Sequence, residues 1–203
     1  MFMQKYLRLL PFLFLSLPAL GQDLLTTTNQ PATANLRTAD HKRAVKHYTT
    51  VIEVNAKNLD AYKNRAKANL ELKNYKEAID DYNVIVRLEP NNVDAIYNRG
   101  LAKIEMQNFR GSLIHLNKLI KLNPEEKNYY EMRAMAKMNM FNAKSAIADY
   151  TQIIRLDSTA MDAYYNRGLA RYESRDDKGA CKDWEIAAAT DNRAAKALKK
   201  YCK

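Results

Sequence analysis

The stretch DAIYNRGLA, residues 94–102, returns almost unchanged as DAYYNRGLA at residues 162–170. The two copies lie 68 residues apart, which is twice 34. A looser copy, DAYKNRAKA, begins at Asp60, and a fourth, NYYEMRAMA, begins at Asn128 in the same register. Self-similarity at a fixed period predicts a repeat array, in which each repeat is one supersecondary element that contacts only its neighbours.

Each 34-residue repeat has the apolar spacing of two helices. In the first repeat, this spacing predicts helices from about Asp60 to Leu72 and from about Tyr75 to Leu88. Asn74 marks the turn between them, and Pro90 follows the second helix, which a proline cannot continue. The predicted fold class is therefore all-α.

Several repeat positions have recurring residue types that indicate how the two helices pack. Position 1 of the four repeats falls at Leu59, Val93, Lys127 and Met161. Position 10 is always alanine and positions 8 and 20 are always small, including Gly100 and Gly168 in mid-helix, whereas positions 4 and 24 are large. Small residues let antiparallel helices approach closely. A glycine in mid-helix is less stable than alanine by about 1 kcal/mol, and the close packing would offset this cost.

The period, the paired helices, the small residues at positions 8 and 20 and the proline after the second helix together resemble the tetratricopeptide repeat (TPR) family. The resemblance implies a right-handed α-solenoid with repeats at residues 59–92, 93–126, 127–160 and 161–192 and a C-terminal capping helix at 193–203. The family's usual proline is missing at Ser158 and Asn192. Members of the family mostly bind partners, so the resemblance implies a non-enzymatic scaffold for a protein or peptide.

Residues 1–21 have the pattern of a secretory signal peptide. Lys5 and Arg8 precede an apolar run that ends with small residues at Ala19 and Gly21. The run contains about 12 apolar residues, short of the roughly 20 that span a bilayer, so an uncleaved anchor is the weaker alternative. We therefore expect export, with a periplasmic or secreted protein of bacterial origin favoured and no membrane insertion after cleavage.

The segment between the signal peptide and the first repeat predicts a linker and a lone helix. Residues 22–38 are rich in Thr, Asn, Gln and Ala and contain Pro31, which favours a flexible linker. In the 34-residue register, Pro31 would fall in the middle of a helix, where it removes a hydrogen bond. From Ala39 to Val54 apolar residues recur at helical spacing, with Thr38 placed as N-cap. Residues 39–58 should therefore hold an unpaired N-terminal helix.

The net positive charge and the absence of known catalytic or metal-binding motifs exclude several classes of function. The formal net charge is +10 at pH 7, and +8 remains without Lys5 and Arg8, which favours attraction to anionic surfaces or polymers. No zinc knuckle, strand-borne aromatic pair or basic helix with heptads supports a nucleic-acid partner. There is no GxSxG, phosphate loop or metal-ligand cluster, and His41 and His47 are poorly spaced to share one ion. We expect no enzymatic activity, metal or cofactor.

A charged pattern recurs at two repeat positions. Position 7 is always arginine and position 23 is aspartate with the exception of His115. The residues are Arg65, Arg99, Arg133 and Arg167, and Asp81, Asp149 and Asp183. A guanidinium at a helix interface needs a fixed acceptor, and a facing aspartate supplies one with bidentate geometry. We predict a structural ladder of Arg–Asp ion pairs; the alternative is an arginine row that binds an anionic ligand.

In the family that the repeats resemble, positions 2, 5, 9 and 12 of the first helices line a concave groove. This implies a partner-binding surface whose later repeats offer aromatic and thioether side chains, which suit an extended or helical peptide. The candidate residues are Lys63, Lys67, Tyr97, Leu101, Ile104, Glu131, Met135, Met138, Tyr165, Leu169 and Tyr172. The alternative is that several of them pack against neighbouring helices.

Two cysteines lie on either side of an expected turn near Asn192. Cys181 is 11 residues before this turn and Cys202 is 10 residues after it, so two antiparallel helices would bring them opposite each other. In an exported chain this favours a disulfide that fastens the capping helix, and two free buried thiols are the alternative.

Taken together, these patterns predict an exported interaction module that presents its groove to a peptide or protein. Two alternatives remain open. One is a structural subunit of a cell-envelope assembly that uses its outer faces and ends, and the other is a binder of anionic envelope polymer.

Overall fold

The computed structural model describes the backbone of residues 30–202 and the side chains of residues 37–202. The chain divides into two compact parts, Met1–Arg37 and Thr38–Lys203. The predicted signal peptide, and residues 22–29 of the predicted linker, lie outside the described residues. In the first part, residues 30–37 are helical. The repeats lie in the second part.

Residues 30–202 form ten α-helices and no strand, which confirms the predicted all-α class. The helices are α1 (Gln30–Val54), α2 (Leu59–Glu71), α3 (Tyr75–Leu88), α4 (Val93–Glu105), α5 (Phe109–Leu122), α6 (Lys127–Asn139), α7 (Ala143–Leu156), α8 (Met161–Glu173), α9 (Asp177–Ala187) and α10 (Asn192–Tyr201). From α2 to α10 each helix packs against the next one along the chain. This succession of neighbour contacts is the packing of a helical solenoid.

The turn inside each repeat uses one backbone conformation. Position 15 has a positive φ of 57 to 69° although it is never glycine: the residues are Lys73, Gln107, Phe141 and Arg175. An Asn or Asp follows each of them and precedes the second helix. Asn108 Oδ1, for example, accepts a hydrogen bond from the amide of Gly111 at 2.9 Å. The left-handed residue ends one helix and the capping side chain begins the next.

Helix α1 begins earlier than the sequence analysis predicted. It starts at Gln30, so residues 30–38, predicted as linker, are helical and Thr38 does not cap the helix. Pro31 is the second residue of α1, where the amide has no intrahelical partner, so proline is tolerated. The prediction of a flexible linker was therefore wrong for residues 30–38.

The core of each repeat lies between its two helices. The small residues at positions 8 and 20 are buried, as are the large residues at position 24, namely Tyr82, Leu116, Tyr150 and Trp184. A Cβ atom at Gly168 would lie 2.7 Å from Cδ1 of Trp184, so only glycine permits this approach. At Gly100 the nearest atom is Cβ of His115 at 3.5 Å, which is an ordinary contact. Close packing therefore accounts for Gly168 but not for Gly100.

Candidate functional site

Three repeats contain the Arg–Asp pair that the sequence pattern predicts. Arg65 donates from Nε and Nη2 to the two carboxylate oxygens of Asp81, at 3.0 and 2.7 Å. Arg167 binds Asp183 in the same way at 2.9 and 2.7 Å, and Nη2 of Arg133 lies 2.6 Å from Asp149. The three aspartates are between 1 and 3 % exposed. Each bidentate pair thus neutralises a buried carboxylate within its repeat.

The remaining guanidinium nitrogen, Nη1, reaches the preceding repeat. Its acceptor always lies 16 residues before the arginine, at Thr49, Asn83, Asn117 and Thr151. These bonds are 2.7 to 3.2 Å long. One guanidinium therefore joins the second helices of two successive repeats, with the later part of α1 serving as second helix ahead of the first repeat. These acceptors were not predicted, although their recurrence as Thr or Asn at the 34-residue period could have indicated them.

The second repeat differs from the others in its charge balance. His115 stands at the aspartate position, and its Nδ1 lies 3.1 Å from Nη2 of Arg99. Nε of Arg99 is buried with no hydrogen-bond partner among the described residues. Burial, with the charges of Arg99 and Lys103, lowers the pKa of His115 to about 4, and burial also lowers the pKa of Arg99. Two cations and a neutral imidazole therefore occupy the place of an ion pair.

Position 11 adds a second cation to the ladder in the last two repeats. Nζ of Lys137 lies 2.7 Å from Asp149, and Nη1 of Arg171 lies 2.9 Å from Asp183. The first repeat has Asn69 at this position. With their nitrogens bonded inside the array, Arg65, Arg133 and Arg167 offer little to an external anion, so these contacts favour the structural role of the arginine row over ligand binding.

The groove surface, defined as positions 2, 5, 9 and 12 of the first helices, is charged at its N-terminal end. Lys67 is exposed, and Nζ of Lys63 lies 3.5 Å from the carboxylate of Asp94. Asp60, Lys63 and Asp94 also line a cavity of about 110 Å³. This volume suits a few water molecules or a single small group, so the surface here is shallow.

The middle of the groove surface is apolar. Tyr97, Leu101 and Ile104 are half-buried and pack against the cluster that contains Ile96 and Leu116. The hydroxyl of Tyr97 accepts a hydrogen bond from Asn128 Nδ2 at 3.1 Å. In the third repeat, Glu131 is exposed and Met135 is half-buried.

One candidate residue of the third repeat lies in the core. Met138 is only 7 % exposed and belongs to the cluster with Ala143 and Ala146. Its assignment to the partner-binding surface was wrong, because its side chain packs against the second helix of its own repeat.

Helix α10 partly covers the last repeat of the groove surface. Tyr165, Leu169 and Tyr172 are half-buried and pack against the cluster that includes Ala194 and Ala197 of α10. The guanidinium carbon of Arg193 lies 4.7 Å from the ring centroid of Tyr165, and the ring of Tyr201 lies 4.6 Å from that of Tyr172. These three residues therefore fit the alternative interpretation of the sequence, in which groove candidates pack against neighbouring helices. The accessible groove surface therefore belongs mainly to the first three repeats.

A disulfide fastens α10 in this position. Cys181 of α9 is bonded to Cys202, which directly follows α10, with Cα atoms 5.8 Å apart. The bond closes a sequence separation of 21 residues around the turn between the two helices. The last helix therefore caps the array where a fifth repeat would otherwise begin.

Two other features are absent from the described part of the chain. None of the helices within residues 30–202 combines the length and apolarity that crossing a membrane requires. In the same part of the chain, no three His, Cys, Asp or Glu side chains are grouped so that they could hold a metal ion.

Comparison with known proteins agrees with this architecture. The family model for the tetratricopeptide repeat matches residues 32–93, a range that begins within α1. The crystal structure of MamA superposes with a TM-score of 0.70 at 20 % sequence identity, over 85 % of this chain and 99 % of that chain. MamA 41-end from Desulfovibrio magneticus RS-1 has a TM-score of 0.66 at 15 % identity, over 78 % of this chain and 94 % of that one. No curated protein matches the sequence.

A third solved structure is YrrB, described as a TPR protein with an unusual peptide-binding site. Its TM-score is 0.70 at 22 % identity, over 82 % of this chain and 88 % of that chain. At these identities the likeness shows a shared fold. The fold and its internal ladder thus define a helical-repeat solenoid, and within it residues 32–93 match the model of the tetratricopeptide repeat family.

Proposed function

We propose that this protein is an exported, non-enzymatic scaffold that binds a peptide or protein on the groove surface of its first three repeats. The observation that carries the proposal is the run of half-exposed apolar side chains from Tyr97 through Leu101 and Ile104 to Met135. Such side chains bury the apolar face of an extended or helical peptide, and the thioether adapts to different shapes.

The charges beside this run favour a partner that also carries an acidic group. Lys67 is exposed and has no ion-pair partner among the described residues, whereas Lys63 already lies near Asp94. A carboxylate of the bound segment could therefore meet Lys67 without displacing an existing pair. The shared fold with YrrB, whose structure is described as having a peptide-binding site, supports a peptide as partner.

Export rests on two observations. The N-terminal pattern of residues 1–21 is typical of a secretory signal peptide. The Cys181–Cys202 disulfide is of the kind that persists in oxidising compartments. A chain fused to an export reporter, with and without residues 1–21, tests this part: equal reporter activity in both would contradict it.

The binding proposal is tested by crosslinking pull-downs from the exported fraction with two matched double variants. Leu101→Ser with Met135→Ser alters the groove surface. Leu88→Ser with Met106→Ser changes the same residue types at exposed sites elsewhere. We expect the first variant to lose the captured partner and the second to keep it, at a temperature at which circular dichroism shows both variants to be as helical as the wild type. A partner that survives in both variants, but is lost when α1 or α10 is altered, would favour the assembly-subunit alternative.

A further inference from the structure

The outer side of the second helices carries a row of unpaired cations. Position 18 is basic in all four repeats, and the residue 34 positions earlier in α1 is basic as well. The row consists of Lys42, Lys76, Arg110, Lys144 and Lys178. All five side chains are exposed, and none has an ion-pair or hydrogen-bond partner among the described residues.

A second row runs parallel to the first. Position 29 is Arg87, Lys121 and Arg155 in the first three repeats, and all three are exposed. Residues 11 apart on one helix share a face and lie about 16 Å apart. Successive second helices lie side by side, since one guanidinium of the ladder reaches both, although each packs mainly against the first helices. The cations therefore spread over a surface in two dimensions.

Helices α5 and α7 carry no exposed acid of their own, and Glu125 and Glu126 lie in the turn after α5. Helix α5 contains no acidic residue, and the only one in α7, Asp149, is buried in the ladder. Acids on the outer side lie on the flanking helices, at Glu77 and Asp80 of α3 and at Asp177 and Glu185 of α9. The positive charge is thus concentrated on the two central helices, α5 and α7.

An apolar side chain stands between the two rows. Ile114 of α5 is 70 % exposed, four residues after Arg110 and seven before Lys121. The corresponding residue of α7 is Ala148, which is uncharged. We name this surface the α5–α7 outer face and define it by Arg110, Ile114, Lys121, Lys144 and Arg155.

We propose that the α5–α7 outer face docks on a membrane surface rich in anionic phospholipids. Clustered Lys and Arg side chains are attracted to such a surface, and each adds to the binding free energy. An exposed apolar side chain among them enters the boundary between headgroups and acyl chains, which removes it from water. The protein would lie on the bilayer with its groove surface, on the first helices, still accessible.

The distribution of side chains favours a membrane over a dissolved polyanion. A linear polymer needs a single row of cations, whereas this face has two rows and an isoleucine between them. A nucleic acid would gain from aromatic side chains on which bases stack, and the defining residues of this face include none. The two-dimensional pattern matches the headgroup plane of a bilayer.

The test measures how much of the full chain cosediments with vesicles. Any binding through the N-terminal apolar segment is the same in every variant, so it cancels when variants are compared. One set of vesicles contains phosphatidylglycerol in phosphatidylcholine, and the other is phosphatidylcholine alone. The readout is the difference in binding between the two sets. We expect binding to the anionic vesicles that weakens as salt rises from about 0.05 to about 0.5 M, because salt screens exposed charges. Equal binding to both sets would overturn the proposal.

Matched charge reversals separate this face from the overall charge. Arg110→Glu with Lys144→Glu alters the face, and Lys196→Glu with Lys199→Glu makes the same change in net charge on exposed positions of α10. The first variant should bind the anionic vesicles at least about tenfold more weakly and the second within about twofold of the wild type. Equal losses in both variants would mean that net charge alone drives binding, and the proposed face would be wrong.

Ile114→Ser distinguishes a membrane from a dissolved polyanion. It keeps every charge, so binding to soluble polyphosphate should be unchanged, while binding to the anionic vesicles should weaken about threefold through loss of apolar burial. If polyphosphate binds as tightly as the vesicles and Ile114→Ser changes neither, the partner is a polyanion and the membrane proposal is overturned.

Discussion

The buried aspartates of the ladder differ in the number of cations that each one meets. Among the described residues Asp81 is bonded by Arg65 alone, whereas Asp149 has both Arg133 and Lys137. Removing one partner of a buried ion pair is strongly destabilising, because it leaves an uncompensated charge. The same substitution should therefore have different costs in different repeats.

Substitution of the ladder arginines by methionine measures this difference. Arg65→Met should lower the free energy of unfolding by about 4 kcal/mol, because Asp81 then has no cation, and Arg133→Met by roughly 2 kcal/mol, because Lys137 remains. Urea denaturation gives both values. A loss for Arg133→Met as great as for Arg65→Met would contradict the ranking. Full stability of Arg133→Met with loss of partner binding would show that the arginine row binds a ligand.

The second repeat offers the reverse experiment. His115→Asp would place a carboxylate beside Arg99 and Lys103, as in the other repeats, and should raise the free energy of unfolding at pH 7 by about 1 kcal/mol. His115→Asn is the control, since an amide supplies an acceptor without a charge. The expectation fails if His115→Asp is no more stable than His115→Asn in chemical denaturation.

At the scale of the helices, the two mid-helix glycines give opposite predictions. Gly100→Ala should raise the free energy of unfolding by about 0.5–1 kcal/mol, because helix propensity improves and the nearest atom leaves room. Gly168→Ala should lower it by roughly 2 kcal/mol, because the new methyl group would overlap the fully buried Trp184. Thermal and urea denaturation of both variants test the pair. Changes of the same sign would contradict the packing observed here.

The periodic features were predictable from sequence because they recur. The bounds predicted for α2 and α3 lie within one residue of Leu59–Glu71 and Tyr75–Leu88, since apolar spacing and the flanking Asn and Pro mark both ends. The Arg–Asp contacts could be predicted because the two residue types recur in step. A pattern that recurs in several repeats supports a prediction more strongly than a residue that occurs once.

The features that could not be predicted from the sequence occur only once and depend on how the chain packs in three dimensions. Pro31 is tolerated because α1 happens to begin one residue before it, which no repeat position indicates. Met138 turns into the core of its own repeat. Tyr165 and Tyr172 are partly covered because a tenth helix follows the last repeat, and the depth of that packing is a tertiary property.

At the scale of the whole array, the disulfide and α10 close its C-terminal end. Trp184 is the only tryptophan of the sequence, is fully buried and lies beside Tyr201 of α10, so its fluorescence reports whether the cap is in place. Apolar surface at the end of a solenoid needs such a cover.

Cys202→Ser should lower the free energy of unfolding by about 3 kcal/mol, because the loop between the two cysteines is no longer closed in the unfolded chain. The emission of Trp184 should shift to longer wavelength at a temperature below that at which helical circular dichroism is lost. Cys181→Ser is the matched control and should behave identically. If reduction of the wild type changes neither the melting temperature nor the emission, the disulfide does not hold the cap.

Each guanidinium of the ladder touches three helices, since it projects from one and bonds to two others that belong to successive repeats. Neighbouring repeats are therefore coupled by directional bonds as well as by apolar contact, so we expect the array to unfold in large cooperative blocks instead of fraying repeat by repeat. The coupling is weakest at Arg99, where a neutral imidazole replaces the carboxylate. When the array opens, the boundary between its N-terminal and C-terminal halves should form at the second repeat.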